Sequence, residues 1–253
     1  MTGVSGAAVL PIWLPVSVVV WAGHMIVFHG IGFGFELCDR SGSLQQYKVR
    51  RHDRLSYVAA LPRVLCNQVF VLLPAMWLCE KTGLAFTGSP NISFPFAALA
   101  LLLMTAGHDV VQYISHRWLL HNLRFRWLGH DLHHSTGASR AITACYMSAP
   151  DFLLTIVAPY LVPLVLIGGG TANVPFQLLV ACLGAIGGLY EHSGYDFALA
   201  LKNRPQRRFL LPASLVSSHA HGEHHRRSRV SFSDGFGSPG LCDRIFRTRW
   251  DLR

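Results

Sequence analysis

Five long apolar stretches divide this chain of 253 residues and limit what it can fold into. They cover about residues 9–35, 55–78, 94–111, 152–168 and 174–190. Each approaches the roughly 20 residues that a helix needs to cross the hydrocarbon core of a membrane. Charged residues make up only 14% of the chain, whereas an ordinary soluble domain has roughly 25%. We therefore predict an all-α fold, an integral membrane helical bundle.

The last two apolar stretches are short, and the run Gly168-Gly169-Gly170 stands between them. Because glycine clusters favour tight turns, we predict that these stretches form a hairpin that enters and leaves the membrane on the same side. The first stretch lacks a preceding basic region and is longer than the apolar part of a signal peptide. We expect it to span the membrane.

Basic residues are concentrated in three of the segments outside the apolar stretches. Five lie between the first two stretches, four lie between the third and fourth, and eleven follow Tyr190. The other connections contain only Lys81. By the positive-inside rule, the three basic segments are expected on the cytosolic side. The N-terminus, the 80–93 loop and the 168–173 turn are then expected on the opposite side.

Eight histidines form three close groups at the borders of the apolar stretches. They are His116 with His121, His130 with His133 and His134, and His221 with His224 and His225. On a helix, residues i, i+3 and i+4 share one narrow sector, so each HX2HH group can aim several rings at one point. The HX4H pair turns an α-helix through roughly 500°, so its rings should point about 140° apart unless the helix ends or a metal intervenes. The predicted topology brings all three groups to the cytosolic side.

This many imidazoles under one membrane face predict a site for two metal ions. Imidazole suits zinc, copper, iron and nickel, whereas calcium and magnesium prefer carboxylates, which are scarce here. A structural zinc ion needs four ligands, and eight histidines are twice that number. An acyl chain or a sterol could reach this site from the bilayer, and oxidation of its unreactive C–H bonds needs O2 and a redox metal. We therefore favour iron.

The net charge of +9 does not indicate nucleic-acid binding. The densest basic run, at Arg226, Arg227 and Arg229, follows the last histidine group directly and lacks an aromatic-interleaved basic surface. Contact with anionic lipid headgroups explains the charge better. The six cysteines show no CxxC pair, so we expect them to be reduced packing residues.

The residues also carry a family resemblance. The run DVVQYISHRWLLHNLRFRWLGHDLHHS at residues 109–135 resembles the first two histidine boxes of the fatty acid hydroxylase superfamily of membrane di-iron oxygenases. The likeness continues through EHSGY at 191–195, HGEHH at 221–225 and DRIFRT at 243–248. Upstream, Tyr47-Lys48-Val49 and residues 63–74 are similar to the opening segment of the C-4 methylsterol oxidase branch. The resemblance covers residues 42–248 and implies a single oxygenase domain over 1–253. Its spanning helices would lie mainly in 1–108 and its histidine boxes in 109–253.

The resemblance implies that the eight grouped histidines are iron ligands and that His192 is a ninth. No catalytic residue beyond the metal ligands is implied. Asp109, Tyr113 and His116 lie at i, i+4 and i+7. They therefore share a helix face, and Asp109 could orient an imidazole by accepting its outer N–H. His219 is expected to support the ligands rather than to bind metal.

The implied activity is O2-dependent monooxygenation of a lipid, in the first place at a C-4 methyl group of a sterol during sterol biosynthesis. The alternative substrate is a sphingoid base or a fatty acyl chain, because the superfamily shares its boxes across lipids. Two departures from the family bear on the substrate. The chain has Ala149-Pro150 where many relatives carry His-Pro, and Arg247 replaces the glycine of the closing motif.

The electrons for such a reaction are expected to come from outside the chain. The sequence has no appended haem domain, no GxGxxG motif after a strand and no flavin motif. A cytochrome b5-type donor and an NAD(P)H reductase are therefore the implied partners, and the basic run after the last box would suit an acidic donor. In a eukaryote, the implied location is the endoplasmic reticulum membrane.

Two other function classes are less favoured. A metal transporter should carry its ligands near the middle of the bilayer in broken helices, whereas these boxes lie beyond the apolar stretches. A receptor or scaffold that kept the fold without turnover is expected to lack a ligand, and here all eight are present.

Overall fold

A computed structural model describes residues 14–51, 55–202, 217–233 and 240–252. Residues 52–54 and 203–216, which carry part of the basic charge used to predict orientation, lie outside the described residues, as does the predicted start of the first apolar stretch. The secondary-structure elements of the described part are helices, and five of them are long and apolar enough to cross a membrane. The predicted all-α membrane bundle is confirmed.

The five long helices are α1 (Val16–Ser41), α2 (Tyr57–Lys81), α3 (Phe94–Leu120), α5 (Ala149–Leu166) and α6 (Val174–His192). Among the described residues, four short helices accompany them: α4 (His130–His134), α7 (Ala198–Lys202), α8 (His219–Arg227) and α9 (Leu241–Ile245). Segments of 3-10 helix cover Leu123–Leu128, with a kink at Phe125, and Ala141–Cys145. The helices α1 and α3 continue past the predicted limits of 35 and 111, because a helix does not end where its residues cease to be apolar.

The starts of four helices follow from short polar side chains in the sequence. The side chains of Ser56, Ser93, Ser148 and Asn173 each accept a hydrogen bond from a backbone N–H of the first turn, and so cap α2, α3, α5 and α6. The start of α1 is capped by another helix, since the Glu80 carboxylate accepts from the N–H groups of Val16 and Ser17 at 2.9 Å each.

The long helices pack mainly as two pairs, α1 against α6 and α3 against α5. Small residues permit the close approach, because a Cβ atom on Gly107 of α3 would lie 2.7 Å from the Cβ of Pro163 in α5. Large apolar side chains such as Ile26, Phe70 and Leu102 are exposed on the outside of the bundle. Such an apolar exterior suits a hydrocarbon surrounding.

A short connection joins α5 to α6 at the place where the sequence predicts a hairpin. Its turn contains Gly168, Gly169 and Gly170, all with φ between 74° and 84°, a backbone conformation that side chains disfavour. As the five long helices alternate in direction, the end of α3, the start of α5 and the end of α6 lie at one end of the bundle. The short helices α4, α8 and α9 pack at this same end.

Candidate metal centre

Nine histidines converge at this end of the bundle in two groups. Within each group, one ring nitrogen of every member lies within 4.8 Å of the others. The five-histidine group consists of His116, His121, His130, His134 and His224. The four-histidine group consists of His133, His192, His221 and His225. The structure therefore brings together all eight boxed histidines and also His192.

The spacing of the inner nitrogens fits metal ions. In the five-histidine group, Nε2 of His130 lies 3.1 Å from that of His116, 3.2 Å from that of His121 and 3.1 Å from that of His134. With a metal–imidazole bond of roughly 2.1 Å, two ligands at right angles would be separated by about 3.0 Å. A common ion therefore accounts for the convergence of these nitrogens.

The four-histidine group has the same character. Nε2 of His192 lies 3.2 Å from that of His133 and 2.8 Å from that of His221. The Nε2 atom of His225 is buried and has no hydrogen-bond partner in the described part of the chain. A buried polar atom without a partner is costly, and a metal ion would satisfy it.

A local change of helix type brings the HX4H pair together. The last turn of α3, Ser115–Leu120, is π-helical, and the N–H of His121 donates to the carbonyl of His116, five residues earlier, at 3.0 Å. In an ideal α-helix the two rings would point apart. In this wider turn their centroids lie 5.0 Å apart. Such π-helical turns are frequent at functional sites.

Each HX2HH box contributes histidines to both groups, whereas the spacing suggested that its rings point to one place. On α4, His130 and His134 belong to the five-histidine group, whereas His133 belongs to the other. On α8, His224 belongs to the five-histidine group, and His221 and His225 belong to the four-histidine group. The two groups are therefore tied together through two short helices.

Backbone carbonyls fix the proton on the outer nitrogen of several rings. The Nδ1 atoms of His116, His192 and His224 lie 2.8–2.9 Å from the carbonyl oxygens of Phe232, Gly188 and Val230, respectively. A carbonyl oxygen can only accept, so each Nδ1 must carry the proton and donate it. Each neutral ring then presents the lone pair of Nε2 to the centre.

Asp151 is a site residue that the sequence analysis missed. Both of its carboxylate oxygens lie 3.0 Å from Nδ1 of His130, and Thr155 donates its hydroxyl to one of them at 2.8 Å. The side chain is fully buried. A carboxylate near the start of an apolar stretch was the available signal, but its partner depends on how α5 packs against α4.

The three expected supporting residues take different places. Asp109 accepts hydrogen bonds from the N–H groups of Leu241 and Cys242 at 3.1 and 3.0 Å, and so anchors the start of α9. The Tyr113 hydroxyl lies 3.2 Å from the Thr248 hydroxyl. His219 lies outside both histidine groups, with its ring 4.5 Å from that of Trp250.

Burial keeps four of the grouped histidines neutral. Desolvation, followed by the neighbouring His116, lowers the pKa of His121 from 6.5 to about 3. Desolvation and nearby histidines also lower the pKa of His134, His224 and His225. Because metal binds neutral imidazole, these side chains are ready to act as ligands at neutral pH.

An apolar cavity leads from the four-histidine group into the bundle. His133 and His192 lie at its histidine end, and it extends between the long helices to Met76, Met104 and Tyr160. Small residues make up much of the α6 wall, namely Ala181, Gly184, Ala185 and Gly188. No member of the five-histidine group is among the lining residues that the structure describes. A lipid in this cavity would therefore meet the four-histidine group.

Comparison with known protein families adds a finding that is independent of this geometry. Residues 101–248, more than half of the chain, match the profile of a family described as fatty acid hydroxylase. Neither the curated proteins nor the solved structures that were compared give a significant match. The matched region contains all nine grouped histidines. The chain therefore belongs to the fatty acid hydroxylase family, which supports an oxidative enzyme that acts on lipids.

Proposed function

We propose that this protein is a di-iron, O2-dependent lipid monooxygenase and that its nine converging histidines bind the two iron ions. The observation that carries the proposal is the convergence of two groups of imidazole nitrogens at the mouth of an apolar cavity. Redox chemistry on a lipid requires both parts, a metal centre and a dry approach to it.

Iron bound there would activate O2, so that one oxygen atom enters a C–H bond of the lipid and the other leaves as water with two electrons and two protons. The protein has three tasks in this reaction. Its carbonyls and Asp151 hold the imidazoles in one tautomer, its apolar walls exclude water, and its cavity positions one carbon of a flexible lipid.

The two metal positions have different tasks in this proposal. The four-histidine group lines the cavity through His133 and His192. Four protein ligands leave more room for a further ligand than five do. We therefore place the oxidised carbon of the lipid beside the four-histidine group.

A sterol oxidised at a C-4 methyl group is the proposed substrate. Support comes from the likeness of residues 47–49 and 63–74, and of HSGY at 192–195, to the methylsterol oxidase branch. In the structure, His192 of that last segment lines the cavity. The same segment pairs with residues 47–49 through an antiparallel bridge between Lys48 and Tyr195.

A specific observation favours the second candidate, a sphingoid base or a fatty acyl chain. The cavity volume is about 80 Å³, whereas ligand pockets usually enclose roughly 300–1,000 Å³. From Gly188 to Val180 its α6 wall spans eight residues, or about 12 Å. A single extended chain would enter this narrow cavity with less rearrangement than a fused ring system.

We propose that a cytochrome b5-type donor and an NAD(P)H reductase supply the electrons. Arg226 and Arg227 are exposed at the histidine end of the molecule, although both contact Glu223, at 2.6 and 2.7 Å. Exposed basic side chains near the centre suit an acidic protein partner and would mainly affect its rate of association.

The proposed setting is a single oxygenase domain in a membrane, that of the endoplasmic reticulum if the source is eukaryotic, with the histidine end and the C-terminus in the cytosol. The distribution of basic residues supports this orientation. A C-terminal tag should then be cleaved by protease added to sealed microsomes. Protection of the tag until detergent is added would contradict the orientation.

Metal analysis tests the centre directly. Purified protein should contain about two irons per chain, and His130→Ala and His224→Ala should lose metal and activity together. His29→Ala is the matched control, since His29 contacts Gln68 and lies outside both groups. Full activity in both ligand variants would reject the site.

Lipid analysis of cells from which the gene is deleted distinguishes the substrates. Accumulated 4-methylsterols would support the first candidate. Accumulated sphingoid bases or acyl chains that lack a hydroxyl group would support the second.

A further inference from the structure

An extended segment outside the histidine boxes docks against the end of α6. The N–H groups of Val49 and Arg50 both donate to the carbonyl of Gly194, at 2.9 and 3.1 Å, and the N–H of Asp196 donates to the carbonyl of Tyr47 at 2.8 Å. Side chains two apart in an extended segment point to the same face. Lys48 and Arg50 therefore project together toward the histidine end.

The guanidinium of Arg50 binds three separate segments. It donates to the carbonyl oxygens of Ala138 at 2.8 Å, Glu191 at 2.7 Å and Ser218 at 3.1 Å. Each of these residues is close in sequence to a member of the four-histidine group. Glu191 directly precedes His192, Ser218 comes three residues before His221, and Ala138 comes five after His133.

The surroundings are shaped to admit this side chain. A Cβ atom on Gly222, inside the HGEHH box, would lie only 2.3 Å from Nη1 of Arg50 and 2.8 Å from its Cζ. A larger residue at position 222 would therefore have to displace the guanidinium from this place. Ala138 adopts a φ of 45°, a conformation that is unfavourable for a residue with a side chain, and the bond from Arg50 helps to hold its carbonyl in place.

Lys48 makes a parallel but smaller connection. Its ammonium donates to the carbonyl oxygens of Ser139 at 2.9 Å and Ser193 at 2.8 Å, and to the carboxylate of Asp39 at 2.5 Å. It thus ties together the segments after the second box and after α6. Within the described part of the chain, Arg50 also binds Ser218, just before the third box, whereas Lys48 does not.

We propose that Arg50 is a positioning residue that sets the geometry of the four-histidine group by joining the segments that carry His133, His192 and His221. The inference rests on the proposed function, because it assumes that this group binds a metal ion. A planar guanidinium with five donors in a fixed arrangement can serve three carbonyls at once, whereas a lysine ammonium is a compact charge on a flexible stem. The charge of Arg50 is offset by the nearby acidic residues Glu191, Asp196 and Glu223.

The test is Arg50→Gln in the full chain loaded with ⁵⁷Fe and examined by Mössbauer spectroscopy. The wild type should show two iron environments, one for each group. In Arg50→Gln, the environment of the four-histidine group should be lost or altered, and iron should fall from about two to about one per chain. Arg50→Lys should show the same loss of that iron environment. Arg51→Gln, at the exposed neighbouring residue, should leave both environments unchanged.

Gly222→Ala provides a second route to the same result, because it displaces the guanidinium without removing it. It should alter the same iron environment in the wild-type background. In the Arg50→Gln background it should cause no further loss, since the two changes act through one contact. This variant also serves if Arg50→Gln does not accumulate as folded protein.

The outcomes separate this inference from the proposed function. A wild-type protein that holds no iron pair would contradict the proposed function. A wild type with two irons and an Arg50→Gln variant with unchanged iron content and spectrum would overturn the inference alone. Equal loss of both environments, or additive losses from Gly222→Ala and Arg50→Gln, would also overturn it, because Arg50 would then support the fold in general.

Discussion

The outer nitrogens of the histidine rings are held by two kinds of acceptor. His116, His192 and His224 donate to backbone carbonyls, whereas His130 faces the carboxylate of Asp151. A carboxylate acceptor makes the imidazole a more basic ligand than a carbonyl does. Asp151 is fully buried, so its negative charge would also be compensated by a metal ion bound to the same ring. His130 therefore stands out among the five-histidine group.

The substitution Asp151→Asn should weaken metal binding. Because an amide is neutral and nearly isosteric with a carboxylate, the loss of affinity should come from the missing negative charge and not from a change in side-chain shape. Such changes usually cost about 10–100-fold in metal affinity. The measurement is a titration of the metal-free protein with ferrous iron in the presence of a competing chelator.

Asp131→Asn is the matched control for this change. Asp131 pairs with Arg126 at 3.1 Å, but both side chains are largely exposed, at 75% and 68%. Exposed ion pairs contribute roughly 0–1 kcal/mol to stability, and this one is outside both histidine groups. Equal affinities for Asp151→Asn and the wild type would show that the carboxylate does not support the ligand.

At the residue scale, sequence spacing alone predicts most of the grouped histidines but not the other residues of the site. The spacings HX4H and HX2HH single out eight residues because they are visible within short windows. His192 stands alone in the sequence and was added only through the family resemblance. Asp151 and Arg50 reach the histidines through packing between segments distant in the chain, and no local pattern records such contacts.

Among the helices, the end of α3 shows how local geometry can depend on tertiary packing. Its π-helical turn lies beside a second one in α5, Leu153–Val157. The Ser115 hydroxyl donates across this contact to the carbonyl of Leu154 at 2.9 Å. The sequence predicted that the rings of His116 and His121 diverge unless the helix ends or a metal lies between them. Nothing in its composition distinguishes a π-helical turn from an α-helical one.

An insertion within this turn tests its contribution to the site. One alanine placed after Trp118, which is 50% exposed, should rotate His121 away from its group by about 100°. We expect the five-histidine group to lose its iron while the helix remains, as measured by metal content and circular dichroism. An alanine inserted after the exposed Ser89, in the loop before α3, should have no such effect. Unchanged iron content in the first insertion would show that the turn is not required.

The small residues of α6 make a separate prediction about the cavity. A Cβ atom on Gly188 would lie 3.8 Å from that of Ala144, an ordinary contact distance, so Gly188→Ala should be tolerated sterically. In Gly188→Leu, the longer side chain would enter the cavity beside His192. Turnover of the lipid should then fall at least about tenfold, while both irons remain bound, because the substrate is displaced and the ligands are not.

Leu183→Phe is the control for added bulk on the same helix, since Leu183 is 38% exposed on the outside of the bundle. Turnover and metal content are both to be measured. Loss of iron in Gly188→Leu would mean that α6 had shifted, and full turnover would mean that the lipid takes another route.

For the molecule as a whole, hydropathy predicted the number of long apolar helices better than their ends. The five apolar stretches correspond to five long helices, but α1 reaches Ser41 and α3 reaches Leu120. Hydropathy reports which residues can face hydrocarbon, whereas a helix continues until its backbone bonds are interrupted, as at Gly42 with its φ of 71° after α1. For α3, this extension carries His116 out of the apolar region toward the other boxes.

The gathering of so many imidazoles makes the stability of the whole metal-free protein depend on pH. The pKa of His121 falls to about 3 in the folded protein, and burial lowers those of His134, His224 and His225 as well. In the unfolded chain these groups should titrate near 6.5. Below that pH the unfolded state binds more protons than the folded state, so stability is full above about pH 6.5 and is lost as the pH falls toward 3.

The apparent unfolding temperature of the metal-free protein in detergent should therefore decrease from pH 7 to pH 5. Carboxylates with ordinary pKa values stay ionised in that window, so the slope belongs to the histidines. His121→Gln should make the slope shallower, because it removes one group that must lose its proton on folding. Iron-loaded protein should resist acid further until protons displace the metal. An unfolding temperature that stays constant or rises as the pH falls from 7 to 5 would mean that burial does not hold these four histidines neutral. That result would contradict the metal-ready state inferred from their contacts.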